Sequence, residues 1–428
     1  TFLNNSLLKE IEICQRKIIL ESKPMELWVT LTARCNLRCI ICNIWENSWD
    51  LPEKVAKEII GYFPYLHDLH WQGGEAFLSP CFEELFERAS SYPNLNQNIN
   101  TNGLLINEEW ARKFSKSNIS IAYAIDGVSK ETYEHIRQGA KFDDLISSLT
   151  TINSYKIKAT PDNNPVGRMT TVMSFMVMKS NYNEIGETVD FAKKYEFDVL
   201  QIYPIETTVD PENIFIHEDR EALEYIEKAL PGIVKRAKEY GVKLNIVNFK
   251  PPLVRDNDSD AENSNFQKNE NNSDDVLQKC PELKNGGIPC DAPWRHLFIQ
   301  AGGAVQPSCR CFKEIGNISK NTLEELWNCK KMQLYRKKIL ENDCLNLCCR
   351  IHKKTDVYLE LSKIYFTRKE YGLAVDKLKK YLSSYPNNKE ANLLLARIYT
   401  QQKANTLAIE EFKKLLMRYP DDRAVHYE

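Results

Sequence analysis

Residues Thr32 to Trp45 read T-A-R-C-N-L-R-C-I-I-C-N-I-W and place Cys35, Cys39 and Cys42 in a C-x₃-C-x₂-C spacing. Three thiolates on one short loop can hold three irons of a cubane cluster. A fourth protein ligand would close the cluster for electron transfer, whereas three ligands leave the fourth iron open to a small chelating molecule. The spacing therefore predicts a [4Fe–4S] cluster with an open iron, which is a site for a reaction.

Two other interpretations of these cysteines exist. A tetrahedral zinc site usually needs a fourth Cys or His at knuckle-like spacing, but the next histidine, His67, lies far downstream. Three buried structural cysteines would also fit, because cysteine without a disulfide is a common core residue. The sequence that follows the motif favours the cluster.

Composition narrows the class of protein. A chain of 428 residues suggests two or three domains, and its net charge of −2 gives no electrostatic footprint for nucleic acid. The charged N-terminus, residues 1–24, is typical of a polar amphipathic helix rather than a signal peptide, and no apolar run is long enough to span a membrane. Thirteen cysteines without a secretion signal indicate metal ligands rather than disulfides. We expect a cytoplasmic protein that works at low oxygen, with no nucleic-acid or membrane partner.

Between residues 26 and 250, short apolar runs alternate with longer helical patterns. The predicted strands are Leu27–Leu31, Asp68–Gln72, Gln97–Thr101, Ser120–Ile125, Val172–Met178 and Val199–Tyr203. The predicted helices are Pro52–Phe63, Cys81–Ser90, Glu108–Ser115, Lys141–Ser154, Asn183–Tyr195 and Asp219–Tyr240. Six strand–helix units indicate parallel strands with crossover helices. The predicted fold is α/β, a partial (β/α)6 barrel, two units short of a full one.

The chemical motifs fall at equivalent places in this fold. Cys35, Gly73, Asn102 and Asp126 each come just after the end of a predicted strand. In parallel α/β barrels the C-terminal ends of the strands meet at one mouth, where the chemistry takes place. The four motifs are therefore expected to converge on one site.

The triple cysteine, preceded by the apolar run of residues 26–31 and followed by Gly73-Gly-Glu-Ala-Phe77, resembles the radical S-adenosylmethionine (radical SAM) enzyme family. The resemblance implies that Cys35, Cys39 and Cys42 bind the cluster and that SAM chelates its open iron. A reduced cluster then cleaves SAM to a 5′-deoxyadenosyl radical that takes a hydrogen atom from the substrate. It also implies a six-unit barrel and an electron donor such as flavodoxin or ferredoxin.

Further SAM-binding residues come from the same resemblance. Gly73, Gly74 and Glu75 are similar to the family's G-G-E-P element, which holds the methionine amino group, although Ala76 replaces the proline. The two glycines permit a close backbone approach. Elsewhere such a tripeptide is most often a turn, but after a strand and downstream of the cysteines we interpret it as functional.

Three more residues are candidates for cofactor binding. Asn102 and Asp126 lie in segments that resemble those ending the family's third and fourth strands, and both are expected to reach ribose or substrate. Each also stands in an ordinary turn dipeptide, Asn-Gly or Asp-Gly, which is an equal alternative. Arg137 resembles an arginine that binds the SAM carboxylate, for which its guanidinium is suited, but it is also explained as a surface residue.

A second group of cysteines follows a polar segment. Residues 251–278, rich in Asn, Asp, Ser and Glu, are predicted to be a disordered linker. The later cysteines are Cys280, Cys290, Cys309, Cys311, Cys329, Cys344, Cys348 and Cys349. The alternating run from Leu297 to Gln306 around Gly302-Gly303 predicts a β-hairpin.

This region resembles the SPASM or shorter twitch extension of radical SAM enzymes. The segments that carry the resemblance are Cys290–Trp294, Ile299–Cys309, Ile315–Asn317 and Leu323–Trp327. It implies one auxiliary [4Fe–4S] cluster, because the usual middle set of cysteines is missing. The implied ligands are Cys290, Cys309, Cys344 and Cys348, for which Cys311 or Cys349 could substitute. Structural zinc is the rival for these four thiolates.

From residue 355 the sequence is helical and repeats itself. Six positions recur 34 residues later: Tyr358, Leu361, Tyr365, Ala374, Leu378 and Pro386 correspond to Asn392, Leu395, Tyr399, Ala408, Phe412 and Pro420. Period and positions match the tetratricopeptide repeat (TPR), whose helical pairs form a groove for peptides or proteins. A capping or dimerisation element is the alternative.

These features divide the chain into five segments. They are an N-terminal helix at residues 1–25, the barrel at 26–250, the linker at 251–278, the auxiliary-cluster domain at 279–354 and TPR repeats at 355–428 (355–388 and 389–422).

The resemblance leaves two enzyme classes open. In the first, the protein abstracts a hydrogen atom from a peptide or protein bound by the TPR groove, leading to oxidation, crosslinking or epimerisation. In the second, it is a dehydrogenase or epimerase of a small metabolite such as a sugar or aminocyclitol. Cys311 and Cys349 are the candidate hydrogen donors for an epimerisation. A non-enzymatic iron–sulfur scaffold is disfavoured, because it gives the open cluster no purpose.

Overall fold

The computed structural model describes most of the chain. The described residues are 1–156, 168–205, 211–217, 219–246, 290–308, 311, 313–341, 359, 362–363, 365–366, 369–384 and 388–418. The chain divides into two compact units, Thr1–Cys344 and Leu345–Glu428. The predicted linker at 251–278 lies outside the described residues.

The first unit is built on a ten-stranded sheet. Its strands are β1 (Glu26–Thr32), β2 (Asp68–Gly73), β3 (Asn96–Thr101), β4 (Ile119–Ala124), β5 (Met169–Val177), β6 (Val199–Pro204), β7 (Lys243–Ile246), β8 (His296–Ile299), β9 (Ala304–Gln306) and β10 (Gly316–Asn317). Strands β1 to β7 are parallel and lie side by side in chain order. This architecture confirms the α/β partial barrel.

Helices follow the parallel strands in the same unit. They are α1 (Phe2–Cys14), α2 (Glu53–Ile60), α3 (Phe82–Ser90), α4 (Glu108–Phe114), α5 (Lys130–Ile136), α6 (Phe142–Tyr155), α7 (Thr188–Lys194), α8 (Ile214–His217), α9 (Arg220–Tyr240), α10 (Ala292–Arg295), α11 (Leu323–Trp327) and α12 (Lys330–Leu340). The side chains of Asn107, Ser129 and Asp219 cap α4, α5 and α9 by accepting a backbone N–H of the first turn. None of the helices in the described part of the chain combines the length and hydrophobicity needed to cross a membrane.

Alternation along the strands separates the core from the barrel interior. In β1, Leu27, Val29 and Leu31 are fully buried, whereas Glu26 and Trp28 are only half-buried. Successive side chains of a strand point to opposite faces, so the buried set packs under the helices. Helix α3 has one buried apolar face, formed by Phe82, Leu85, Phe86 and Ala89 at helical spacing.

The structure has more parallel strands than the sequence predicts. All six predicted strands are present, but β7 adds a seventh beside β6. It is only four residues long and half polar, which hides it from a hydrophobicity pattern. The predicted β-hairpin is also present as β8 and β9, and β8 pairs in parallel with β1. The auxiliary region therefore continues the barrel sheet at its β1 edge.

The N-terminal helix is shorter than residues 1–25. Helix α1 ends at Cys14, and Arg16 adopts a positive φ of 53° that breaks the helical path. Its buried positions include Lys9 and Glu12, while Leu3 is 76% exposed. The helix thus turns a largely polar face towards the protein.

The second unit is helical. Its helices are α13 (Tyr371–Ser384), α14 (Lys389–Gln401) and α15 (Asn405–Arg418). One hydrophobic core contains the repeated positions Tyr365, Ala374, Leu378, Leu395, Tyr399, Ala408 and Phe412. The sequence repeat therefore supplies the packing residues of this unit. The other predicted repeat positions Tyr358, Leu361, Pro386 and Pro420 lie outside the described residues.

Candidate functional site

The three motif cysteines lie on the loop that follows β1, which we call the cluster loop (residues 33–50). Thr32 and Arg34 anchor its beginning to its end, because the Thr32 hydroxyl donates to Asp50 Oδ1 at 2.7 Å and Arg34 Nε donates to the same atom at 3.1 Å. Arg34 also donates to the carbonyl of Leu78 at 2.5 Å. These bonds close the loop over the carboxyl end of β1.

Within the loop the thiols are close to solvent and to one another. Cys35 and Cys39 are half-buried and Cys42 is exposed. Burial raises the pKa of Cys35 and Cys39, and the nearby negative charges of the other motif thiols add to this. A metal cluster would bind these groups as thiolates, since coordination to metal deprotonates a thiol. Among the described residues, no three His, Cys, Asp or Glu side chains surround a single metal-ion position.

The Gly-Gly-Glu segment lies directly against the cluster loop. Gly74 N donates to Thr32 O and Glu75 N donates to Arg34 O, both at 2.8 Å. A Cβ on Gly74 would lie 2.2 Å from Arg34 O, and one on Gly73, whose φ is +145°, would lie 2.3 Å from Thr32 O. No side chain fits at either position, so the glycines are required for this approach.

Glu75 turns its carboxylate into the protein. The side chain is fully buried and accepts hydrogen bonds from the Thr101 hydroxyl at 2.8 Å and from Asn102 N at 2.9 Å. The backbone N–H groups of Ala76 and Phe77 also bond it. Burial outweighs these bonds and raises the pKa of Glu75 to about 7. Glu75 thereby fastens the end of β2 to the end of β3.

Asn102 continues this connection to the cysteines. Its Nδ2 donates to Asn36 Oδ1 at 2.8 Å, and its Oδ1 accepts from Leu104 N at 3.0 Å. Asn36 is the residue after Cys35. The ends of β1, β2 and β3 are therefore joined by a continuous chain of hydrogen bonds.

Asp126 and Arg137, predicted separately, form an ion pair with each other. Arg137 NH1 also lies 3.8 Å from Cys39 Sγ. The segment that carries Arg137 pairs with the cluster loop, because Arg38 N donates to Gln138 O at 2.8 Å and Ile40 N donates to Ile136 O at 3.0 Å. The structure thus brings the ion pair to the same site as the cysteines.

All the predicted residues of the barrel converge on this mouth. Sequence reasoning missed several residues that hold them in place: Thr32, Arg34, Asn36, Asp50 and Thr101. Thr101 precedes Asn102 and Asn36 follows Cys35, and this adjacency to motif residues is the feature of the sequence that could have indicated them. No feature of the sequence indicates a role for Asp50, because it contacts Arg34 and Thr32 only in the folded loop.

The auxiliary region is described in part. Cys290 is half-buried just before α10, and Cys311 is buried. Cys329 caps α12, its sulfur accepting from Met332 N at 3.4 Å. Cys309, Cys344, Cys348 and Cys349 lie outside the described residues, so the auxiliary ligand set stays a prediction.

Three family models match different parts of the chain. The radical SAM superfamily model matches residues 29–192, the iron–sulfur cluster-binding SPASM model matches residues 290–350, and a tetratricopeptide repeat model matches residues 365–427. The first match contains the cluster loop, Glu75 and Arg137. The three matches agree with the architecture expected from the motifs.

Two curated proteins are similar over long stretches. A cysteine-type anaerobic sulfatase-maturating enzyme of Clostridium novyi (strain NT) is 27% identical over 216 residues, 45% of this chain and 52% of the relative. Fe-coproporphyrin III synthase of Methanosarcina barkeri is 23% identical over 335 residues, 72% of this chain and 74% of the relative. The chain thus spans about half the length of the first of them.

A solved structure has a similar fold. SuiB of Streptococcus suis, bound to its precursor peptide SuiA, superposes with a TM-score of 0.51 at 16% identity, over 77% of this chain and 70% of that chain. At this identity the likeness concerns the fold.

Proposed function

Because the chain carries a radical SAM domain followed by an iron–sulfur SPASM domain and belongs among the radical SAM enzymes, we propose that it abstracts a hydrogen atom from a peptide or protein substrate. The observation that carries the proposal is the union of these two domains with a peptide-binding type of repeat in one chain. The product would be an oxidised, crosslinked or epimerised peptide.

The site geometry fits the cluster and SAM. Cys35, Cys39 and Cys42 would hold the cluster, on a loop that Arg34 and Asp50 keep closed. When bound, the cluster and SAM together supply a one-electron cleavage that yields a hydrogen-abstracting radical. There is no space for a side chain at Gly73 or Gly74 beside the loop. The segment therefore presents bare backbone, which suits binding of the methionine group of SAM.

The buried residues of the site have supporting roles in this proposal. Glu75 and Asn102 keep the Gly-Gly-Glu segment and the cluster loop in register through the bonds to Thr101 and Asn36. Asp126 and Arg137 occupy the mouth beside Cys39. Such preorganisation positions the cofactor and limits side reactions.

The auxiliary domain would serve the substrate radical. Four cysteines, Cys290, Cys309, Cys344 and Cys348, are the proposed ligands of one auxiliary cluster, which takes an electron or holds the substrate. Cys311 and Cys349 are the proposed hydrogen donors if the product is an epimer. A flavodoxin or ferredoxin is the proposed electron donor for the first cluster.

The similarity to a sulfatase-maturating enzyme, whose name describes action on a protein, supports a macromolecular substrate. The peptide-bound neighbour of similar fold supports it further. A small-molecule substrate is the second candidate, favoured by the alignment of 72% of this chain with Fe-coproporphyrin III synthase.

The test is anaerobic turnover by the intact protein. After reconstitution with iron and sulfide, SAM and a strong reductant are added, and 5′-deoxyadenosine is measured with host lysate split by ultrafiltration. We expect stimulation by the retained macromolecular fraction. Stimulation by the filtrate alone would favour the metabolite. No 5′-deoxyadenosine with an intact cluster would contradict both candidates, and a variant with all three motif cysteines changed to alanine is the blank.

A deletion separates the repeats from the chemistry. Removing residues 355–428 should abolish stimulation by the macromolecular fraction while leaving slow, substrate-independent 5′-deoxyadenosine formation. Full activity of that deletion on a small metabolite would overturn the peptide proposal.

A further inference from the structure

A buried ion pair lies beside one motif cysteine. The side chains of Asp126 and Arg137 are 1% and 12% exposed, and Arg137 NH2 donates to Asp126 Oδ2. Taking two charges out of water offsets much of their attraction, so a buried ion pair adds little net stability. The position next to Cys39 therefore needs an explanation beyond stability.

Asp126 is fixed from the sheet side. Its Oδ1 accepts from Met176 N at 3.0 Å, so the carboxylate is tied to the end of β5. Its backbone carbonyl accepts from Asn181 Nδ2 at 2.8 Å. With one oxygen held by the backbone, the other faces the guanidinium in a single orientation.

Arg137 is fixed from the loop side. The backbone on either side of it pairs with residues 38 and 40 of the cluster loop. Its two terminal nitrogens are occupied, NH2 by Asp126 and NH1 by Cys39 Sγ at 3.8 Å. Nε is buried and has no hydrogen-bond partner among the described residues. The two contacts use two of the five guanidinium N–H groups, so a SAM carboxylate could bind only through the remaining ones.

We propose that Arg137 sets the reduction potential of the cluster held by Cys35, Cys39 and Cys42, and that the charge of Asp126 opposes its effect. Hydrogen bonds to the cluster sulfurs and nearby charge are two of the factors that set such potentials. A cation with an N–H directed at a ligand sulfur favours the more negative, reduced state, and an anion opposes it. The proposal depends on cluster binding by the three cysteines and is independent of the substrate class.

The two members of the pair are therefore expected to act with opposite signs. Arg137→Gln removes the cation and should move the midpoint potential to more negative values. Asp126→Asn removes the anion at nearly constant shape and should move it to more positive values. A residue that merely supports the fold would not give opposite shifts.

The experiment is a redox titration followed by electron paramagnetic resonance, done without SAM on the full-length reconstituted protein. The signal of the first cluster is assigned by its absence in Cys39→Ala, which separates it from any auxiliary cluster. Lys130→Gln, at the start of the helix α5 that Arg137 follows, removes a cation from an exposed ion pair with Asp143; it is the matched control and should leave the potential unchanged. Iron content and SAM binding are measured on every variant.

Opposite shifts with full iron content would support the proposal. If Arg137→Gln keeps its iron and its potential but binds SAM at least tenfold more weakly, Arg137 serves the SAM carboxylate and the proposal fails. If Arg137→Gln cannot hold the cluster, Asp126→Asn decides alone: an unchanged or more negative potential would overturn the proposal. None of these outcomes depends on finding the substrate, so they are separate from a failure of the proposed function.

Discussion

Glu75 accepts the backbone N–H of Asn102 at 2.9 Å through a carboxylate that has no contact with solvent. The two residues end neighbouring strands, β2 and β3, and Asn102 in turn holds Asn36 beside Cys35. A resemblance alone would make both of them direct ligands of SAM. In the structure their side chains first of all fix the geometry of the loop that carries the cysteines.

Glu75→Ala should therefore destabilise the protein and weaken cluster retention. It leaves the Thr101 hydroxyl and the Asn102 N–H buried without their acceptor, and each unsatisfied group costs about 1–3 kcal/mol. Urea unfolding and iron content after desalting measure the two effects. The exposed Glu53, changed to alanine, should stay within about 0.5 kcal/mol of wild type. Equal losses in the two variants would contradict the role assigned to Glu75.

Gly74→Ala should disrupt the site by direct collision. Its Cβ would lie 2.2 Å from Arg34 O and 2.7 Å from Ala33 O, both backbone atoms that cannot rotate away. The cluster loop must then move, and we expect iron content of the first cluster to fall with it. Gly232→Ala in helix α9 is the control, since no atom lies within 4 Å of the Cβ that it adds. Alanine should stabilise the helix there by about 0.5–1 kcal/mol relative to glycine. Normal iron loading of Gly74→Ala would show that the approach is not needed.

The sequence predicts the six main strands, the hairpin and the repeat because each shows a periodic pattern of residues that can be recognised without knowledge of tertiary contacts. It also places the motifs at one mouth, since parallel strands end on one side. The pairing of Asp126 with Arg137 is different. Each residue has its own motif, and only the paired backbones of residues 38–40 and 136–138 bring the two charges together beside Cys39.

Helix α1 shows a second limit. Leu3, Leu7 and Ile11 are spaced four residues apart along one side of the helix, and all three are exposed. The buried face instead carries Lys9 and Glu12. Glu12 is satisfied by the backbone N–H groups of Glu21 and Ser22, a partner set that no local pattern indicates. Tertiary hydrogen bonds override amphipathicity here.

The repeat unit offers a test of its packing. Ala374 is fully buried in α13, in the same hydrophobic cluster as Leu378 and Leu395. Ala374→Leu should overpack this core and cost about 1–3 kcal/mol. Hydrogen exchange with mass spectrometry should show faster exchange in peptides from residues 371–418. Leu373→Ala, at a neighbouring position that is 48% exposed, should change exchange little, and similar effects of both would contradict the repeat assignment.

Lys9 provides a pH-dependent prediction. Its Nζ is buried 4.5 Å from the ring centre of Trp327, without a hydrogen-bond partner among the described residues. Burial, followed by the charge of Arg336, lowers the pKa of Lys9 to about 6. An unfolded lysine has a pKa of about 10.4, so between these values the unfolded chain binds a proton that the folded chain lacks, and stability rises with pH.

Lys9→Met keeps the length of the side chain but cannot bind a proton. It should therefore be more stable than wild type at pH 7, and the difference should shrink as the pH approaches 10, with a slope of at most about 1.4 kcal/mol per pH unit. Urea unfolding at a series of pH values measures this difference directly. Lys54 is exposed, and the free energy of unfolding of Lys54→Met should differ from that of wild type by the same amount at every pH. If the free energy of unfolding of Lys9→Met also differs from that of wild type by a constant amount, Lys9 keeps its charge in the folded protein. Its contact with Trp327 is then a cation–π pair that the methionine variant loses.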